Sequence, residues 1–256
     1  QKDFDHGGTR RRAAELSDAR VMVFMTQDAL PADYKLIGNL LKALDQNEKI
    51  GATYARQLPK SDCGFLERYT RTFNYPEHSS VKTLSDVKQY GIKTYFCSNV
   101  CAAYKRAAYQ DVGGFVNRAI FNEDMICAGN MVKQGYSIAY AADARVYHSH
   151  NYKLSTYFMR YYDEYKGLYY LQNYQIAKSW TRLPLMIAKH TISDARYIRH
   201  LEMSKKEKIH WMLYSMSRNF SRYCGGYLGG KYDSYSSKKK KWLDHKISQQ
   251  YKQRKA

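Results

Sequence analysis

Short apolar runs that end in polar, chemistry-bearing residues most constrain what this chain can fold into. Residues 19–25 (ARVMVFM) have the length and composition of a buried strand, and they lead directly into Thr26, Gln27 and Asp28. Asp28 is therefore expected just past the carboxyl end of a strand, which is where open α/β sheets bind their ligands. A helix-capping or turn aspartate before Pro31 is the structural alternative for Asp28.

A second apolar run ends in two histidines. Residues 137–147 predict one or two strands broken near Asp143, and His148 and His150 follow directly. Their spacing of two puts both imidazoles on one face of an extended segment. Imidazole and carboxylate suit manganese or similar ions, so a metal site shared with Asp28 is one interpretation. A structural role for either histidine is the other.

The rest of the first 150 residues alternates between helical and strand patterns, which predicts an α/β architecture. Residues 56–91 are expected to form an excursion of loops and short helices. We predict helices at residues 8–15, around residues 36–44 after a cap at Asp33, and at residues 123–133, with strands at residues 50–55 and 94–97.

The helix predicted for residues 123–133 opens with Glu123 and Asp124. Acidic residues favour the first turn of a helix because they interact well with its dipole, so the pair has an ordinary structural explanation. The functional interpretation is that one of the two carboxylates projects into a cleft as a general base.

The chain changes character near residue 153, where we place a boundary between an α/β region (1–152) and a basic, aromatic-rich helical region (153–256). Residues 153–256 contain 22 Lys+Arg against 7 Asp+Glu, which is +15 of the total formal charge of +19. This excess predicts a polyanionic partner, and an anionic membrane surface is favoured over nucleic acid because no nucleic-acid-binding motif is recognised.

Two helical patterns and a lysine run organise this second region. Tyrosines recur every four residues from Tyr157 to Tyr169, and a second apolar stripe runs from Ile209 to Phe220. Glycines near residues 225–230 are expected to end the last long helix. Lys238–241 are expected to begin a mobile tail that contacts the membrane together with Trp242.

The five cysteines and the hydrophobic pattern limit the class of protein. An odd number of scattered cysteines supports neither a disulfide framework nor a zinc knuckle, so reduced, buried thiols are expected. No run of residues reaches the roughly 18–20 apolar residues that span a bilayer. Because the chain begins with Gln1 in a motif-like stretch, we expect it to be a fragment of a longer protein.

Several short motifs, in a fixed order over most of residues 3–175, resemble the rhamnosyltransferase branch of glycosyltransferase family 2. They are residues 4–10 (FDHGGTR), 26–29 (TQDA), 56–59 (RQLP), 73–76 (FNYP), 98–99 (SN), 113–115 (GGF), 123–125 (EDM) and 148–152 (HSHNY).

The resemblance implies a GT-A type, Rossmann-like sheet with flanking helices, a nucleotide-sugar donor (usually dTDP-L-rhamnose), a divalent cation such as Mn²⁺ or Mg²⁺, and inversion at the anomeric carbon. By similarity, Asp28 matches the metal-binding end of an Asp-x-Asp motif, and His148 completes the metal site with His150 as the alternative. Asp124 matches the catalytic base, with Glu123 beside it.

Thr26, Gln27 and Arg10 are assigned by the same resemblance to the donor-binding side of the site. Thr26 stands where the general motif has its first aspartate, which removes one carboxylate from the nucleotide side. Arg11 stands where the family has an asparagine. The family's first strand and nucleotide-binding loop would precede Phe4, so the catalytic region is expected to be incomplete at its amino end and to bind donor poorly alone.

Taken together, the sequence predicts an inverting, metal-dependent transferase that moves a deoxyhexose onto a surface polysaccharide or lipid-linked acceptor. We expect it in the cytoplasm, peripheral at the inner face of the cell membrane. The alternative is a non-catalytic, membrane-peripheral scaffold derived from a truncated glycosyltransferase.

Overall fold

A mixed β-sheet of six strands forms the centre of the first part of the chain, within residues 5–117, 119, 121–249 and 251 that the computed structural model describes. The strand order is β1-β5-β3-β6-β2, and β4 pairs with β6. The strands are β1 (Val21–Met25), β2 (Leu30–Pro31), β3 (Ile50–Leu58), β4 (Ser80–Lys82), β5 (Cys101–Lys105) and β6 (Ser137–Tyr147).

The directions of the strands decide where polar loops meet. β1 and β3 each pair antiparallel with β5, and β3 pairs in parallel with β6. The carboxyl ends of β1, β3 and β6 and the amino end of β5 therefore share one edge of the sheet. Asp28, Gln57, Ser98 and His148 all lie at or beside these strand ends.

Helices flank the sheet in this unit. They are α1 (His6–Glu15), α2 (Leu36–Leu44), α3 (Phe65–Asn74), α4 (Val87–Tyr90), α5 (Arg106–Asp111) and α6 (Glu123–Lys133). Leucines at positions 36, 40 and 44 recur every four residues and bury one face of α2 against Ile50 and the alanines of β5 and β6. The predicted α/β class is confirmed.

The long strand β6 is one strand with an irregularity. Its pairing with β3 jumps from Ala55 opposite Ala141 to Arg56 opposite Arg145, so three extra residues lie on β6 at that point. The jump falls around Asp143, where the sequence predicted a break. Such insertions re-aim the end of a strand, here the end that leads into His148.

The helix at residues 123–133 is confirmed, but the strand at 94–97 is wrong. Thr94 and Tyr95 belong to a 3-10 helix (Gly91–Tyr95), and the strand lies later, at Cys101–Lys105. The sequence of β5, CAAYK, contains no β-branched residue, so its propensity for a strand is weak. Its central position between β1 and β3 overrides that propensity.

Asp33 was predicted to cap α2, and this is also wrong. Its carboxylate accepts a hydrogen bond from the Lys35 amide at 2.8 Å and pairs with Arg145 at 2.7 Å, and α2 begins afterwards at Leu36 without a side-chain cap.

The described residues from Tyr152 onward form a second compact unit, and residues 5–151 form the first. The second unit is helical, as predicted for the carboxyl-terminal region. Its helices are α7 (Leu154–Gln172), α8 (Leu183–Arg199), α9 (Lys205–Gly230) and α10 (Ser237–Lys246), with 3-10 turns at Trp180–Arg182 and Tyr232–Ser234.

Two predictions about this unit need correction. The long helix α9 does end within the predicted glycine group, at Gly230, but Gly225 and Gly229 lie inside it, where a Cβ would collide with the backbone carbonyls of Phe158 and Tyr162 on α7. Their lack of a side chain lets the two helices pack closely. Lys238–241 are helical within α10, which Ser236 caps by accepting a hydrogen bond from the Lys239 amide at 3.4 Å.

In the part of the chain that the structure describes, every helix is too short or too polar to cross a lipid bilayer.

Candidate active site

One carboxylate and two imidazoles meet at the shared edge of the sheet. Oδ2 of Asp28 lies 3.4 Å from Nε2 of His148 and 3.4 Å from Nε2 of His150. The candidate ligand atoms of the three residues all lie within 4.8 Å of one another. The structure thus brings together the three residues for which the sequence predicted a metal site, and neither histidine has to be chosen over the other.

The charge states of Asp28 and His148 suit a cation. Partial burial acts to raise the pKa of Asp28, but the Thr26 side chain and the positive potential of the two histidines hold it below its usual value. Burial, reinforced by the positive charge of Arg71, lowers the pKa of His148 to about 3. An ionised carboxylate and a neutral imidazole are the forms that bind a metal ion.

A buried glutamine fixes the orientation of His148. Nδ1 of the imidazole lies 3.1 Å from Oε1 of Gln57, and Arg71 donates a hydrogen bond to the same oxygen. The amide nitrogen of Gln57 donates to Tyr75 Oη at 2.6 Å and to Ser98 Oγ at 2.9 Å, so the amide can have only one orientation. His148 must then carry its proton on Nδ1, which leaves the lone pair of Nε2 facing Asp28.

Gln57 was not among the predicted site residues. It lies in the RQLP motif, but the motif served only to establish the resemblance. The available signal was a glutamine near the end of a strand that begins with the mostly apolar residues IGATYA. In the structure Gln57 is 3% exposed. A polar side chain buried at such a position requires hydrogen-bond partners, and here those partners include a candidate metal ligand.

The two acidic residues at the start of α6 have different surroundings. Glu123 is 3% exposed, forms an ion pair with Arg10 at 2.5 Å and accepts a hydrogen bond from Asn99 Nδ2 at 3.2 Å. Burial raises the pKa of Glu123, and the charge of Arg10 opposes that shift. Both Glu123 and Arg10 are thus engaged with each other, and the predicted role of Arg10 toward a nucleotide stays a prediction.

Asp124 is half-buried and has no ion-pair partner among the described residues. Its Oδ2 accepts a hydrogen bond from the Asn99 amide at 2.9 Å, and its Oδ1 accepts one from the Met125 amide at 2.8 Å. Burial and the neighbouring charge of Glu123 raise the pKa of Asp124 to about 7. A carboxyl group with this pKa can take up and release a proton near neutrality.

The turn at residues 98–100 connects the candidate metal triad to the acidic residues at the start of α6. Ser98 holds the amide of Gln57, Asn99 holds Asp124, and the carbonyl of Val100 accepts a hydrogen bond from the Thr26 amide at 3.1 Å. The same short segment therefore contacts the end of β1, the end of β3 and the first turn of α6.

Gln27, by contrast, is exposed, and none of the described contacts gives it a role.

Comparisons with known proteins show which family and which relatives this chain resembles. Residues 1–113 match the family model "Glycosyl transferase family 2". The chain is 45% identical over 163 residues to the O-antigen chain rhamnosyltransferase RfbN from Salmonella typhimurium, a match that covers 63% of this chain and 52% of RfbN. It is 41% identical over 162 residues to the O-antigen chain rhamnosyltransferase WbaN from Salmonella anatum, covering 63% of this chain and 51% of WbaN.

Among solved structures, this chain is similar to the mannosyltransferase PcManGT from Pyrobaculum calidifontis, whose structure is a complex with GDP-Man and Mn²⁺. The similarity covers 96% of this chain and 61% of PcManGT, with a TM-score of 0.47 and 14% sequence identity. The chain spans about half the length of the curated relatives that it matches. Residues 1–113 therefore match the glycosyltransferase family 2 model, and the resemblance of this chain to the rhamnosyltransferase branch of that family is confirmed.

Proposed function

We propose that this protein is an inverting, metal-dependent glycosyltransferase that moves L-rhamnose from dTDP-L-rhamnose to a lipid-linked or saccharide acceptor in the synthesis of an O-antigen-type surface polysaccharide. The observation that carries the proposal is a candidate metal triad at the sheet edge together with Asp124 of α6, a carboxylate with a pKa of about 7 that Asn99 links to the same edge. The two relatives, named O-antigen chain rhamnosyltransferases, support the choice of sugar and polymer.

The donor set of Asp28, His148 and His150 fits a divalent cation. One carboxylate oxygen and two imidazole nitrogens are ligands that Mn²⁺ accepts readily, whereas Mg²⁺ prefers oxygen, so Mn²⁺ is the better match. When bound, the ion would neutralise the negative charge of the diphosphate leaving group. The chain's own contribution is to keep the carboxylate ionised and the histidine neutral and correctly oriented.

Asp124 acts in this proposal as the general base. The proton of the acceptor hydroxyl passes to a carboxylate oxygen of Asp124 while the hydroxyl oxygen forms its bond to the anomeric carbon. The bond between that carbon and the diphosphate breaks, and the electron pair leaves with the diphosphate. The amide hydrogen bonds from Asn99 and Met125 hold the carboxylate in place without neutralising its charge.

We further propose that the basic helical unit keeps the protein at the cytoplasmic face of an anionic membrane, next to a lipid-linked acceptor. Each Lys or Arg near such a surface contributes about 1 kcal/mol of attraction, and the unit has a large excess of them.

The test is donor turnover in the natural protein that contains this chain. Release of dTDP from dTDP-L-rhamnose should require Mn²⁺ or Mg²⁺, stop with a chelator and exceed release from dTDP-glucose. No release with any donor and metal would favour the non-catalytic scaffold instead.

A further inference from the structure

The outer face of α9 is apolar where a surface helix is ordinarily polar. Five side chains on this face are between 41% and 58% exposed, and we call them the α9 outer stripe: Ile209, Met212, Leu213, Met216 and Phe220. The sequence predicted this stripe as an apolar helix face, and the structure shows that it points outward.

Two polar residues of the same helix segment point inward. Ser215 and Asn219 are buried and donate hydrogen bonds to Asp194 of α8, at 2.6 Å and 3.1 Å. α8 therefore packs against the polar side of this part of α9. This reversal of the usual arrangement leaves the apolar side chains exposed in the described part of the unit. A contiguous exposed apolar patch commonly marks an interaction site.

The stripe forms one continuous line along the helix. Each member lies three or four residues from another member, so the five side chains share one face. From Ile209 to Phe220 the stripe is about 17 Å long at 1.5 Å per residue.

The charges around the stripe decide what could cover it. Lys205 and Lys206 are exposed at its amino end, where Glu207 is exposed as well, and residues 153–256 carry a net charge of +15. A second copy of this chain would bring these like charges together, at a cost in a unit that already has a large positive excess. An anionic lipid surface accepts both features, because lysine side chains reach the headgroups while apolar side chains enter the acyl boundary.

We propose that the α9 outer stripe inserts into an anionic lipid bilayer, with α9 lying parallel to the membrane plane. The proposal rests on the proposed function in one respect, since a lipid-linked acceptor gives the contact its purpose. Insertion of the stripe is distinct from the purely electrostatic contact that Lys238–241 could make. Apolar side chains enter the membrane, and their contribution to binding persists when salt screens the charges.

Vesicle cosedimentation of the natural protein tests the proposal without donor or metal. Vesicles of equimolar phosphatidylglycerol and phosphatidylcholine are compared with phosphatidylcholine alone, at low and high salt. The test variant combines Leu213→Ser and Phe220→Ser, both at positions more than half exposed, so the fold should tolerate them. The matched control combines Leu16→Ser and Leu84→Ser, two exposed leucines of the first unit.

We expect the stripe variant to bind anionic vesicles about tenfold less tightly, because apolar area that leaves water drives insertion. The control variant should bind like the parent. Lys205→Gln with Lys206→Gln should weaken binding at low salt only. A dye attached at Met216→Cys should shift its emission to the blue with anionic vesicles, whereas the same dye at Leu16→Cys should not.

Equal vesicle binding by the stripe variant and the parent, or an unshifted dye at position 216, would overturn the proposal. So would a parent that sediments as a dimer without lipid and a stripe variant that sediments as a monomer, since the stripe would then join two copies. Donor turnover in solution is measured separately, so loss of vesicle binding with turnover intact would leave the proposed function standing. Loss of turnover with vesicle binding intact would contradict the proposed function and leave the membrane contact standing.

Discussion

Nδ1 of His148 lies 3.1 Å from Oε1 of Gln57, and this contact sets which nitrogen of the histidine faces Asp28. Arg71 can only donate a hydrogen bond and donates it to Oε1, while the amide nitrogen donates to Tyr75 and Ser98, so the amide cannot rotate to offer its nitrogen to the ring. A residue of the sheet interior thus prepares a candidate metal ligand at the sheet edge.

Gln57→Leu should weaken Mn²⁺ binding. Loss of the partner that orients a ligating histidine typically costs about 10–100-fold in metal affinity. Calorimetric titration of Mn²⁺ measures the effect, and ¹⁵N chemical shifts of His148 should show the loss of a single tautomer. Gln110→Leu, at an exposed position on α5, is the control. Unchanged affinity in Gln57→Leu would mean that the hydrogen bond only stabilises the fold.

Asp28→Ala should reduce Mn²⁺ affinity more than His148→Ala or His150→Ala. A charged oxygen ligand contributes more to holding a hard cation than a neutral nitrogen does. We expect Asp28→Ala to exceed the roughly hundredfold loss seen when a supporting partner is removed. Asp33→Ala removes a carboxylate that pairs with Arg145 and should leave Mn²⁺ affinity unchanged. If only His150→Ala weakened binding, the ligand set would be wrong.

Asp124→Asn should lower kcat by about 10²–10⁴-fold, because an amide keeps the shape of the side chain but cannot accept the acceptor's proton. Mn²⁺ affinity and the melting temperature should stay close to those of the parent. The control is Asp18→Asn, an exposed aspartate ahead of β1. Near-normal turnover would remove Asp124 from the role of base and direct attention to Glu123.

The rate should rise with pH through about 7. Asp124 must be ionised to act as a base, and burial beside Glu123 raises its pKa to about 7, so each pH unit below that value should cost about tenfold in kcat/KM. His148 stays neutral throughout this range because its pKa is lowered to about 3. The residual rate of Asp124→Asn should show no rise with pH near 7. A rise near pH 7 that persists in that variant would come from the titration of another residue.

The raised pKa of Asp124 also makes a prediction about stability. The folded state holds this proton more tightly than the unfolded chain, whose aspartate titrates near 3.8, so the contribution to stability is present below about 4 and is lost as pH rises toward 7. Asp124→Asn should therefore flatten the dependence of the unfolding free energy on pH between these values, as measured by urea titrations across the range. The same pH dependence of the unfolding free energy in Asp124→Asn and the parent would contradict this prediction.

Glu123→Gln should destabilise the first unit by about 1–3 kcal/mol, because it replaces a buried ion pair by a hydrogen bond to a neutral amide and leaves Arg10 without its counter-charge. Glu15→Gln breaks an exposed ion pair with Arg11 and should change the unfolding free energy by less than about 1 kcal/mol. Denaturant titration followed by circular dichroism distinguishes the two. Equal effects would mean that burial of the Arg10 pair adds nothing.

The sequence by itself determined the elements that have strong local signals. The apolar run before Asp28, the leucine spacing of α2 and the acidic start of α6 predict their elements because periodicity and helix-dipole preferences are properties of neighbouring residues. Motif order alone also indicated that Asp28, His148 and Asp124 belong to one site. By contrast, β5 could not be placed, since an alanine-rich segment becomes a strand only through its two partners.

Tertiary structure decided what depends on residues far apart in the chain. It separated Glu123 from Asp124 by giving only the first an arginine partner 113 positions away. It oriented His148 through Gln57, which lies 91 positions earlier. It also turned the apolar face of α9 outward, because Asp194 on α8 attracts the polar side chains Ser215 and Asn219 to the interior. Hydrogen bonding, burial and charge pairing act through space, and a linear pattern carries no record of which partners will meet.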